Sequence, residues 1–107
     1  MAAERITIPE LQKKLESSKK PIVVDVRETA EIKEGGAIPG AIHIPMRQID
    51  KRMSEIPKTA EVVFYCGGGG RASRAAGAFA EAGYKTVHYC GIRDWKKQGL
   101  PTVPDIK

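Results

Sequence analysis

Val62-Val63-Phe64-Tyr65-Cys66-Gly67-Gly68-Gly69-Gly70-Arg71-Ala72-Ser73 is the stretch that decides the fold. With Glu61 ahead of it, the apolar run predicts a strand buried on both faces, the pattern of parallel sheets. Gly67 to Gly70 break the strand. From Arg71 to Ala82 the chain is alanine-rich and predicts a helix, ended by Gly83. A strand, a tight turn and a helix in this order deliver Cys66 to the carboxyl edge of a sheet, where open α/β sheets place their ligands.

Working outward, the same alternation repeats. Ile22-Val23-Val24-Asp25-Val26 is a second strongly β-branched run, and Ile42-His43-Ile44 and Thr86-Val87-His88-Tyr89 predict two shorter strands. Helices are predicted over 9–15, with Pro9 in the first turn and Leu11 and Leu15 facing the core, and over 28–34, stopped by Gly35-Gly36. Two more fall over 46–53 and 92–98. Met46, Ile49 and Met53 lie at helical spacing, which core packing explains. Strands alternating with helices at this density define an α/β fold, a mostly parallel sheet with helices on both faces. No repeat or linker divides the chain, so residues 1–107 are expected to form a single domain.

The chemistry concentrates in the turn. Glycines adopt backbone angles closed to other residues. A run of them can turn successive N–H groups inward as an anion nest, and the helix N-terminus adds unpaired donors with partial positive charge. A cysteine opening such a loop is stabilised as the thiolate, the nucleophilic form. Arg71 closes the ring with a fixed charge and a fork of donors suited to an oxyanion. A cysteine at a strand end can be plain core and glycines a plain turn, but the conjunction of strand, Cys66, four glycines, Arg71 and helix favours a reactive Cys66.

Composition excludes several other classes. The formal net charge is +5, from 18 basic and 13 acidic residues. The cations are scattered, without the aromatic interleaving or reading motif of a nucleic-acid binder, so no nucleic-acid partner is expected; attraction of small anions is the useful consequence. No stretch reaches the ~20 apolar residues of a membrane span, so no membrane partner is expected either. The polar segment from Met1 to Glu10 lacks the apolar run of a secretory signal, which makes a cytoplasmic location the expectation. Two cysteines, Cys66 and Cys90, are too few for a disulfide framework, and with His43 and His88 they make no metal set of recognisable spacing.

The sequence resembles the single-domain members of the rhodanese-like family. The matching segments are Val24-Asp25-Val26-Arg27-Glu28, Ile38-Pro39-Gly40-Ala41-Ile42-His43-Ile44-Pro45, the loop from Cys66 to Arg71, and Gly91 with Trp95. The resemblance implies a five-stranded, mostly parallel sheet flanked by helices on both faces, with Cys66 catalytic and the amides of Gly67, Gly68, Gly69 and Gly70 cradling a persulfide sulfur. It implies a sulfurtransferase that takes sulfane sulfur from thiosulfate, polysulfide or a persulfide and passes it to a thiol or cyanide-like acceptor. No metal or organic cofactor is needed. A persulfide carrier or interaction module, loaded and unloaded by a partner protein, is the alternative. Phosphatases and arsenate reductases of the same fold have a loop one residue longer than the six residues from Cys66 to Arg71, and tyrosine phosphatases carry His where this chain has Tyr65; both are disfavoured. The sequence departs from the family in Gly36-Ala37, where Gly-His is common, in the bare glycines 67–70, which predict a wide and flexible cradle, and in Cys90-Gly91, where two glycines are usual.

Five further residues are candidates for supporting roles. Asp25 and Arg27 fall beside the loop by resemblance; Arg27 either adds positive potential near Cys66 or pairs with a carboxylate such as Asp25 or Glu28, and the pairing is favoured. Ser73 either backs the loop or bonds within the first helical turn. Trp95 packs at the pocket's edge, as core, lid or substrate contact. Cys90 either resolves Cys66 as a second thiol or is a passive buried thiol, the reading favoured. The donor, the acceptor and the oligomeric state are not legible.

Overall fold

In a computed structural model, which describes residues 3–107, the chain forms one five-stranded sheet in which every strand pair is parallel. Met1 and Ala2, the start of the polar N-terminal segment, lie outside the described residues. The elements in chain order are β1 (Glu4–Arg5), α1 (Ile8–Leu15), β2 (Ile22–Asp25), α2 (Thr29–Gly35), β3 (Ile42–His43), α3 (Ile49–Arg52), β4 (Glu61–Cys66), α4 (Gly70–Glu81), β5 (Thr86–Gly91) and α5 (Ile92–Lys97). The sheet order is β1-β5-β4-β2-β3. No helix among the described residues is long and apolar enough to cross a membrane.

Local sequence explains most element boundaries. Thr7 caps α1 in a reciprocal box: its hydroxyl accepts the Glu10 N–H, and the Glu10 carboxylate accepts the Thr7 N–H. Ile8 and Leu11 of α1 are buried, and Leu15 packs at the margin. α2 ends at Gly36, whose φ of 79° lies in the left-handed region that glycine tolerates. The predicted helix over 46–53 is broken instead into a turn of 3₁₀ helix, the four residues of α3 and a second 3₁₀ turn. Ile49 is buried there, while Met46 and Met53 pack partly exposed against the core.

The pleat divides the interior into two layers. Val24, Val62, Phe64 and Cys66 face Ala72, Ala75, Ala76 and Phe79 of α4, together with Ile49 of α3. Val23, Val63, Tyr65 and Cys90 face Leu11 of α1 and Ile92 and Trp95 of α5. The small alanines let α4 lie close to the sheet, so its N-terminus sits directly against the end of β4.

The strand that local pattern does not predict is β1. It has two residues, both exposed, and so carries no hydrophobic alternation. It joins the sheet edge by backbone alone, in register Glu4 with His88 and Arg5 with Tyr89, and Ile6 N–H continues the ladder to the Tyr89 carbonyl at 2.9 Å.

Candidate functional site

Cys66 is the last residue of β4, opposite Gly91 of β5, and is 2% exposed. The chain then turns through Gly67, Gly68 and Gly69 into α4, which begins at Gly70. Gly69 occupies the N-cap position with φ 110°, an angle that disfavours any side chain. Its N–H donates to Cys66 Sγ at 3.0 Å. The sulfur therefore holds one backbone donor, from Gly69, at the N-terminal end of a 12-residue helix, where unpaired N–H groups favour an anion.

At Gly67, Gly68 and Gly69 the cradle is more closely set than its bare glycines suggest, while Gly70 is exposed with nothing within 4 Å of a Cβ. Tertiary neighbours occupy the space that loop side chains would fill. A Cβ on Gly68 would lie 3.0 Å from Arg93 Nη1, and one on Gly67 would lie 3.5 Å from Arg93 Nη2. A Cβ on Gly69 would collide with the Arg5 guanidinium. Arg93 stands in the first turn of α5 and Arg5 in β1, so two guanidinium groups from distant parts of the chain roof the loop. Its backbone is tied as well. Arg93 N–H donates to the Gly67 carbonyl at 3.2 Å, and Arg5 Nη2 donates to the Gly68 carbonyl at 3.0 Å. On the far side, a Cβ on Gly91 would stand 2.7 Å from the Gly67 carbonyl oxygen, so β5 approaches closely only because residue 91 is glycine.

Arg71 reaches the loop from the first turn of α4, with Nη2 3.9 Å from a Cβ built on Gly67. Its charge is already shared. Both Nη atoms fork onto the Glu31 carboxylate of α2, at 2.8 and 2.9 Å. These hydrogen bonds hold the Glu31 carboxyl down at about 2, and Glu31 followed by Cys66 raises Arg71 above its ordinary value. By contrast, no carboxylate lies within 4.0 Å of the Arg93 guanidinium among the described residues.

Of the five supporting candidates, none has a side chain bonded to the loop. Arg27 is 4% exposed and Asp25 fully buried. Asp25 Oδ2 accepts Arg27 Nη2 at 2.8 Å, Oδ1 accepts the Arg27 backbone N–H at 2.9 Å, and Arg27 Nη2 also reaches the Gly36 carbonyl. This is the structural pairing, and it braces the end of β2 against α2. Tyr65 beside it donates no charge to the site: its hydroxyl accepts the Ile38 N–H, and burial followed by the Asp25 charge pushes the phenol far above its usual range. Ser73 reaches Gly69 through its backbone N–H at 2.8 Å, and α4 has no side-chain cap. Trp95 lies in the α1–α5 layer, its Nε1 donating to the Pro101 carbonyl, away from the layer that holds Cys66. Cys90 pairs in register with Tyr65 and points into that same opposite layer. Adjacent positions on a strand project to opposite faces, so the sheet itself separates the two free thiols. Burial pushes the Cys90 thiol up to about 12.

The sequence passes over three residues that shape the site. Arg93 is one of many dispersed cations, but it follows β5 at the same sheet edge as Cys66, two positions after a strand-terminal glycine. Glu31 lies on the face of α2 that meets Arg71, and no spacing announces that. Arg5 gives no signal at all.

This geometry has counterparts among known proteins. The family model for the rhodanese-like domain matches residues 7–98. A sulfurtransferase of Allochromatium vinosum is 41% identical over 95 residues, which cover 87% of this chain and 88% of that protein. The crystal structure of a rhodanese-related protein of Thermoplasma volcanium superposes with a TM-score of 0.84 over 95% of this chain and 99% of the other; at 24% identity it speaks to the fold. A human single-domain sulfurtransferase is 25% identical, with a TM-score of 0.79 over 91% of this chain and 98% of its own. The chain belongs to the rhodanese-like family.

Proposed function

We propose that the protein is a sulfurtransferase that carries sulfane sulfur as a persulfide on Cys66. The observation that carries this reading is the Gly69 N–H bond to Cys66 Sγ at the head of α4. It is the donor that a thiolate, and then a persulfide anion, needs.

In the first half-reaction the Cys66 thiolate attacks the outer sulfur of a donor such as thiosulfate, polysulfide or a second persulfide. The new S–S bond forms as the donor's S–S bond breaks, and the donor departs with the electron pair, as sulfite when it is thiosulfate. In the second, a thiolate or cyanide attacks the terminal sulfur and Cys66 leaves as thiolate. Loop N–H groups stabilise the anions on both sides, in the manner of an oxyanion hole. Arg71 adds charge held in place by Glu31. Two half-reactions through a covalent intermediate give ping-pong kinetics.

Intact mass measurement after exposure to thiosulfate or polysulfide tests the reading. The expected product gains the mass of one sulfur atom, is discharged by cyanide, and is absent in Cys66→Ser. Failure of every donor to load the wild-type chain would reject persulfide chemistry.

A further inference from the structure

Arg5 stands apart from the residues that sequence or resemblance assigns to the site. It lies 63 positions from Gly68 in sequence, on a two-residue edge strand, with its side chain about half exposed. Three contacts nevertheless hold it. Its guanidinium lies over the Tyr89 ring at 5.4 Å from the centroid, Nη1 stands 3.8 Å from Asp94 Oδ2, and Nη2 donates to the Gly68 carbonyl at 3.0 Å.

The last contact matters because of peptide geometry. The Gly68 carbonyl and the Gly69 N–H belong to one planar trans unit and point in opposite directions. Drawing the carbonyl outward turns the N–H inward, and that N–H is the one found 3.0 Å from Cys66 Sγ. The preceding unit is held in the same sense, with the Gly67 carbonyl drawn outward by Arg93 N–H. A loop with side chains could fix these planes by its own packing. Four glycines cannot, since each has more rotational freedom than any other residue. The glycines also clear the space that the Arg5 guanidinium fills.

We propose that Arg5 is a positioning residue for Cys66: by fixing the Gly68 carbonyl it aims the Gly69 N–H at the reacting sulfur. The inference rests on the reading of Cys66 as the nucleophile, and it assigns the N-terminal strand a part in the chemistry.

The test is the rate of Cys66 alkylation by iodoacetamide, followed by peptide mass analysis across a range of pH, in wild type, Arg5→Met and Arg5→Lys. Methionine keeps the apolar contact with Tyr89 and removes the donor. One hydrogen bond to an anionic sulfur corresponds to about tenfold in rate at neutral pH, and Arg5→Met is expected to lose that factor. Lysine keeps a donor for the carbonyl and restores most of the rate. That rescue persists at ~0.5 M salt, where a simple charge effect is screened. An Arg5→Met rate equal to wild type, or a rescue that vanishes in high salt, overturns the proposal. A second readout needs no variant: Gly69 N–H exchange in the wild-type chain is strongly slowed if the peptide plane is pinned, and exchange at the unstructured rate overturns the proposal too. Alkylation and exchange require no sulfur donor, so a failure to form persulfide would sink the sulfurtransferase reading while leaving the Arg5 result to be judged separately.

Discussion

Gly91→Ala isolates the contact that sets the height of the loop after Cys66. The backbone of Gly91, at φ −122° and ψ 141°, suits alanine, so no conformational strain accompanies the change. The added methyl would lie 2.7 Å from the Gly67 carbonyl oxygen and 3.0 and 3.1 Å from Gly68 backbone carbons. These neighbours are main chain and cannot rotate aside. To reach an ordinary C···O separation of ~3.3 Å, the Gly67 carbonyl must retreat by about 0.6 Å. Its bond from Arg93 N–H, at 3.2 Å, already sits at the long end of the normal range. Overpacking of this kind costs about 1–3 kcal/mol, and the stiffer unfolded chain returns about 0.5–1 kcal/mol. A net loss of about 1–2 kcal/mol lowers Tm by roughly 5–10 °C in a domain of this size. Calorimetry reads the stability, and intact mass reads the rate of sulfur loading, which is expected to fall more than stability alone explains. A Gly91→Ala protein that melts and loads like wild type would refute the idea that β5 presses the loop into place.

Three further outcomes are expected. Gly77 lies inside α4 with nothing within 4 Å of a Cβ, so Gly77→Ala raises stability by about 0.5–1 kcal/mol, read from a denaturant midpoint, and leaves sulfur loading unchanged. The Glu31 carboxyl sits at about 2 in the folded chain against an ordinary 4.5, so the Arg71 pair contributes fully above about 4.5 and is lost as pH falls toward about 2. Because both side chains are about a third exposed, that contribution is about 0.5–1 kcal/mol, and the corresponding acid-side slope is missing from the Glu31→Gln unfolding curve. Cys90 holds its proton to about 12 in the folded chain and to about 9.0 when unfolded, so stability declines as pH rises through that interval; Cys90→Ala removes this slope and retains the one-sulfur gain at Cys66.

The central unit was legible because its signals are local. A buried apolar run, glycines and an alanine helix specify β4, the turn and α4 between Glu61 and Glu81, and they place Cys66 at the sheet edge. The Asp25–Arg27 pairing was legible for the same reason, as two residues apart at a strand end. What escaped depends on distant chain. β1 consists of Glu4 and Arg5, which the sheet recruits through backbone bonds, and no pattern of burial marks it. The glycines suggested an open cradle because the groups that cover it, the Arg5 and Arg93 guanidiniums, come from elements not adjacent to them in sequence. Cys90 looked comparable to Cys66 because both lie near the carboxyl ends of strands at the same edge. The pleat places them on opposite faces, and that parity follows only once the register Tyr65 with Cys90 is known.

The opposite-face arrangement of the two thiols also bears on reaction order. A nearby thiol on the Cys66 face would give a loaded sulfur a first-order way out, with a lifetime fixed by the protein. With Cys90 behind the sheet, the proposed Cys66 persulfide has no such exit, and its discharge is expected to be bimolecular, at a rate that scales with the concentration of acceptor outside. On the proposed chemistry, the lifetime of the loaded form is then set by its surroundings, and without acceptor the sulfur is expected to stay where it was put.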